Sequence, residues 1–191
     1  MNTEELTYKF PQIDGDARLR ELILYIADKC SSDEYFGSVK LNKILYFADL
    51  VAYGSSGEPV SGCEYLALPQ GPAPARLATI KESMLAKKEI VEQVRTVPGG
   101  YTQRRIVPLR PANLRLFSGQ DIAYVGSMID LFRKKTASDV SYFSHGRAWK
   151  IAYKNHVPMP YESVFVANDV KATEYQTARG TELAEKYQWD V

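Results

Sequence analysis

The sequence predicts a helix-dominated α+β fold, a single domain with one antiparallel β-hairpin. Two observations carry that expectation. Apolar residues recur at helical spacing in several segments, and two short β-rich runs flank a Pro-Gly-Gly turn at 98–100. A third bounds the size: 191 residues with 45% apolar content suit one domain with a sizeable core, not a disordered chain.

The first helix is expected over 16–30. Leu19, Leu22, Ile23, Ile26 and Cys30 recur on one face, and Asp14 or Asp16 can cap the start. The second is expected over 38–53, with Leu41, Ile44, Leu45, Ala48 and Ala52 as its stripe, Ser38 as N-cap and Gly54 as the stop. These two helices should pack as a pair. Residues 54–62, GSSGEPVSG, have the chemistry of a loop, and EYLAL reads as a short buried strand. In YLALPQGPAPARL, 65–77, Gly71 precedes Pro72 and is biased toward extended backbone. Pro72 fixes the next φ, and Pro74 stands near the first position of a third helix over 75–88. This stretch should form a rigid corner against the 40–49 helix and the 145–149 segment, with the Trp149 ring over the Gly-Pro pair and its N–H on a carbonyl.

EIVEQVRTV and YTQRRIVPL then form the hairpin. A helix over 118–135 puts Ile122, Val125, Ile129 and Phe132 on one face, with Ser118 and Asp121 as a capping pair. Another begins at 136–144, with Asp139 in its first turn. VPMPY, 157–161, must be extended, because each proline disfavours helix in the residue before it. The core spans about 17–166, and 168–189 reads as a helical C-terminal extension weakened by Gly180.

Composition excludes several functions. No apolar run approaches the roughly 20 residues that span a bilayer, and MNTEELTYKF has no basic n-region followed by an apolar h-region, so no signal peptide is evident. Two cysteines outside any CxxC pair and two histidines argue against zinc and for an ordinary reduced cytoplasmic protein with no metal or cofactor. Net charge is +1, and the basic clusters Lys87-Lys88, Arg104-Arg105 and Arg133-Lys134-Lys135 are interleaved with acids, so direct nucleic-acid binding is not expected. The 13 tyrosines suit a protein-recognition surface or a core equally. QGPAPAR lacks the lysine and free N–H groups of a phosphate loop. Ser144 beside His145 is adjacent in sequence, which does not align the pair for proton transfer, and no GxSxG, HExxH or DxDxDG occurs. The paired carboxylates Glu4-Glu5 and Asp33-Glu34 sit in polar runs.

Two stretches stand out. VKLNKILYFADLVAY carries Lys40, Asn42, Lys43, Tyr46 and Asp49 off its apolar stripe, with Lys43, Tyr46 and Asp49 as successive i,i+3 neighbours. SYFSHGRAWKIAY places His145 at a helix end, where an imidazole can bond last-turn carbonyls, with Trp149 four residues on.

Together with Gly71-Pro72, these motifs resemble the Panacea-domain family, the SocA-like antitoxins of bacteria and their phages. The matching elements are KLNKILYFAD (40–49), the glycine-containing turn from Gly57 to Tyr65, Gly71-Pro72, and Ser144-His145 with Trp149. The resemblance covers roughly 19–165, and Ala148 replaces the proline that often precedes the tryptophan. It implies a cytoplasmic, non-enzymatic antitoxin that neutralises a cognate protein toxin by direct contact, with an AAA+ protease as a second partner in at least one branch. It implies Lys40, Asn42, Lys43, Tyr46, Asp49, Gly71, Pro72, His145 and Trp149 as the binding motif. The alternative is a small phage or mobile-element enzyme or regulator with its site near Lys43, Tyr46 and His145.

Overall fold

The structure, a computed structural model, describes residues 6–97 and 100–166. The centre of the 98–100 turn and the expected C-terminal extension, 168–189, lie outside the described residues.

Asp14 accepts from the Ala17 N–H and starts helix α1, Gly15–Lys29, whose expected stripe is buried. Helix α2 covers Ser38–Ser56 and differs from expectation at both ends. Gly37 is the N-cap residue, and the Ser38 hydroxyl donates instead to the Arg104 carbonyl at 3.2 Å. Gly54 does not stop the helix. A Cβ there would stand 3.3 Å from Val164 Cγ2, so its smallness serves packing. The stop is Gly57, at φ +80°, a left-handed position that glycine takes without strain.

The expected corner is a second hairpin. Strand β1, Tyr65–Leu68, pairs antiparallel with β2, Gly71–Pro74, with Ala67 opposite Pro72 and Tyr65 opposite Pro74. Prolines fit because of where the ladder puts them. Ala75 N–H donates to the Glu64 carbonyl at 2.9 Å, so hydrogen-bonded pairs fall at 64/75 and 66/73. Pro72 and Pro74 then occupy positions whose N–H would face away from β1. Gly71 is not extended: its φ is +93°. Pro74 belongs to β2, and helix α3 begins only at Leu77, running to Ala86.

The expected hairpin is present as β3, Ile90–Val97, and β4, Tyr101–Pro108, in register from Ile90↔Pro108 to Val97↔Tyr101. The Arg105 guanidinium fastens it to the end of α1 by donating to the carbonyls of Asp33 (2.9 Å), Cys30 (2.8 Å) and Ser31. Helix α4, Gly119–Phe132, starts with a reciprocal Ser118–Asp121 capping box. Helix α5, Ala137–Ser144, starts with the same device from Thr136 and Asp139. A separate helix α6, Arg147–Asn155, follows extended Gly146 and was not distinguished in the sequence. Residues 157–160 are extended as expected and supply β5, Pro158–Met159, whereas Tyr161, also expected to be extended, opens a 3-10 turn at Tyr161–Phe165.

The three-stranded sheet has the order β2-β1-β5. Helix α2 is the central element: α1, α4, α5, β2 and the last 3-10 turn all pack on it. No helix among the described residues is long and apolar enough to cross a membrane.

Candidate functional site

The polar residues of α2 are turned inward, against the usual arrangement of a surface helix. Lys40, Lys43 and Asp49 are each 1% exposed and Tyr46 5%, so each needs an internal partner. Lys40 Nζ meets Asp33 Oδ2 at 2.7 Å. Lys43 Nζ has no carboxylate and donates to the Pro72 carbonyl at 2.8 Å, the group that β2 leaves outside its ladder. Burial alone pushes its pKa down to about 7. Tyr46 OH lies 3.5 Å from Ser163 Oγ, and its ring meets Phe47 and Tyr65 edge-on. Burial pushes its hydroxyl up to about 12.

Asp49 is a hub. One oxygen accepts from the Ser61 N–H at 2.7 Å. The other accepts from the Ser61 hydroxyl, from Tyr65 OH at 2.9 Å and from Tyr161 OH at 3.3 Å. Burial pushes its pKa up to about 6, and these bonds hold it from rising further. Asn42 is half-buried, and its buried Oδ1 finds no partner among the described residues.

The second motif is seated on the β1–β2 turn. Three successive carbonyls of that turn accept side-chain donors. Leu68 receives Trp149 Nε1 at 3.0 Å, Pro69 the His145 imidazole, and Gln70 the Ser141 hydroxyl at 3.0 Å. The donors are four residues apart and come from α5, its C-cap and α6 in turn, so the seam runs across the junction of the two helices along a tight turn. His145 stacks on Trp149 (4.0 Å between centroids), and Trp149 stacks on Tyr153 (4.8 Å, 13°). Burial, then the nearby Lys43 charge, holds the His145 pKa below its ordinary value against the Pro69 bond. Its Nε2 is buried without a partner among the described residues.

Gly71 ties the two motifs together. A Cβ there would stand 2.6 Å from Lys43 Nζ and closer still to Ser144 Oγ. The expected close approach to glycine is real, but Lys43 and Ser144 make it. Trp149 makes the expected N–H bond to a carbonyl of the same turn. The structure thus brings Lys43, Gly71, Pro72, His145 and Trp149 together. Asp49 and Tyr46 gather around Tyr65 and the 161–163 turn, and Lys40 lies with Asp33.

Chemically the seam holds a lysine with a depressed pKa, a hydroxyl and an imidazole. The Ser144 hydroxyl donates to the Ser141 carbonyl at 2.7 Å and lies under Gly71. The thiols of Cys30 and Cys63 are buried, unpaired and pushed up to about 11 and about 12, chiefly by burial, so neither is a ready thiolate. No cluster of three potential metal ligands occurs among the described residues. Sequence reasoning did not assign roles to Ser61, Tyr65, Ser141, Tyr161 or Ser163. Ser61, Tyr65, Tyr161 and Ser163 lie in a loop, a short strand or a one-turn segment, where no periodicity marks a buried polar partner, and Ser141 lies on a short helix whose partner is a carbonyl 71 residues away.

A family model described as "Antitoxin SocA-like, Panacea domain" matches residues 41–150, more than half of the chain. That span includes every motif residue above except Lys40. No curated protein and no solved structure matches the chain.

Proposed function

The chain belongs to the antitoxin SocA-like, Panacea-domain family, and from that membership we propose that it is the antitoxin of a toxin–antitoxin pair. It neutralises a cognate protein toxin in the cytoplasm by direct contact, without turnover. The family match over 41–150 is the observation that carries this reading. Delivery of the captured toxin to an AAA+ protease is the finer form of the same proposal.

In this reading the motif works from beneath the surface. Lys43, Gly71 and Asp49 fix the β1–β2 hairpin on α2, and His145 and Trp149 fix α5 and α6 on the hairpin. The residues that meet the toxin are then those these helices present outward. Co-expression with the product of an adjacent small reading frame, followed by a pull-down, tests the reading. Rescue of growth and a stable complex are expected. A neighbouring product that is harmless alone, or toxic and not retained, would sink it.

The alternative site near Lys43, Tyr46 and His145 draws support from one observation, the lysine with depressed pKa close to His145. An enzyme of this kind would show a turnover that His145→Ala abolishes while the fold persists.

A further inference from the structure

Helices α5 and α6 sit on the β1–β2 turn through Ser141, His145 and Trp149. The residues left out of that seat are unusual. Tyr142 is 80% exposed, Phe143 54% and Ile151 52%. Lys135 Nζ lies 5.7 Å from the Phe143 ring centroid, and Tyr142 and Phe143 meet edge to face. Large apolar side chains left exposed on two short consecutive helices suit an interaction surface.

The charge around them is one-sided. Residues 130–156 hold six Lys and Arg against two Asp, in a chain whose net charge is only +1. Both acids are engaged locally: Asp130 pairs with Arg133 at 2.7 Å, and Asp139 caps α5. Lys134, Lys150 and Lys154 are exposed and pair with no carboxylate among the described residues. By contrast, Arg104 and Arg105 of the β-hairpin are spent on internal contacts. Near-neutral net charge therefore conceals a basic stretch of chain that carries exposed aromatic and aliphatic side chains.

We propose that the α5–α6 face, built on Tyr142, Phe143, Ile151, Lys150 and Lys154, is the docking surface for an acidic protein segment carrying an aromatic or aliphatic anchor. This deepens the antitoxin reading and rests on it, because it states the chemistry of the toxin segment that binds. Aromatic and apolar anchors supply the buried centre of such an interface, and the lysine rim supplies complementarity and salt dependence.

The test uses the full chain and defined probes: a random Glu–Tyr copolymer, poly-Glu and an oligo-dT strand, each titrated by fluorescence anisotropy. The copolymer should bind about tenfold more tightly than poly-Glu, since only it offers anchors as well as charge, and binding should weaken on raising salt. Lys150→Glu/Lys154→Glu and Tyr142→Ser/Phe143→Ser should each weaken it about tenfold. Both variants should melt with wild type, because the altered side chains are exposed. Equal binding of copolymer and poly-Glu, tighter binding of oligo-dT, or full binding by both variants would overturn the proposal. The same variants are assayed for growth rescue by co-expression. Wild type and variants rescuing alike would overturn the face and leave the antitoxin reading standing. Loss of rescue in wild type itself would sink that reading, while the copolymer titration still decides the face.

Discussion

Lys43 is a buried cation with little company. Its ammonium has one carbonyl partner and no anion, and its pKa falls from 10.5 to about 7. Below pH 7 both folded and unfolded states hold the proton, and the folded state bears the full cost of a buried charge. Between pH 7 and 10.5 the unfolded chain binds the proton more than the folded one, so stability contributed at this site rises with pH. Relative to Lys43→Met, wild type should therefore gain stability steadily from pH 7 to 10.5, by up to about 5 kcal/mol. Urea unfolding of both proteins across that range measures it, and a difference that does not change with pH would refute the assignment. Gly71, against which Lys43 lies, has φ +93° and no room for a Cβ. Gly71→Ala should cost roughly 2–4 kcal/mol, from left-handed strain plus displacement of Lys43 from its carbonyl. The cost should shrink in the Lys43→Met background, where the flexible thioether can yield. Equal costs in both backgrounds would place the strain elsewhere.

At the scale of elements, most of the helices were legible. The stripes of α1, α2 and α4 repeat at helical spacing, and the Ser118–Asp121 box and the Thr136 start of α5 carry their own local chemistry. The hairpin β3–β4 was legible for the same reason: its runs and its turn are contiguous. The β1–β2 hairpin was not, because three prolines argue against a strand unless the register is known. Only the pairing of Pro72 with Ala67 and of Pro74 with Tyr65 shows that the missing N–H groups are not needed. Burial of the α2 polar face was illegible too, since lysine and aspartate on a helix ordinarily face water and the partners of Lys43 and Asp49 lie 12 to 112 residues along the chain. For the seam, Trp149→Phe keeps most of the ring area but removes the donor to Leu68. It should cost about 1 kcal/mol or less, because the Leu68 carbonyl is at the surface and water can take the place of the donor. A thermal melt with no change would mean that the bond contributes nothing to holding α6 on the hairpin.

For the whole molecule, the antitoxin reading carries a thermodynamic signature. A partner that binds only the folded chain stabilises it in proportion to its saturation. At a hundredfold excess over Kd the gain is about 2.7 kcal/mol, which for a chain of this size raises Tm by roughly 5–10 °C. Differential scanning fluorimetry with the purified complex checks this, and an unchanged Tm at saturation would count against direct binding. The Asp49 hub has a consequence in time. Its donors come from residues 12, 16 and 112 positions away. At roughly 5–20 residues per second, the ribosome takes about 6–22 s to travel from Asp49 to Tyr161. Until then the carboxylate lacks its last donor, the Cys63 carbonyl lacks the Tyr161 hydroxyl, and the 163 hydroxyl opposite Tyr46 does not exist. Chains arrested before residue 161 should therefore remain protease-sensitive around α2, and those arrested far enough beyond 166 for that turn to clear the exit tunnel should not. In the antitoxin reading, a nascent copy is then of little use to a cell already exposed to the toxin: protection would come from molecules finished earlier, so the standing stock of completed chains, not the rate of initiation, would set how fast the cell responds.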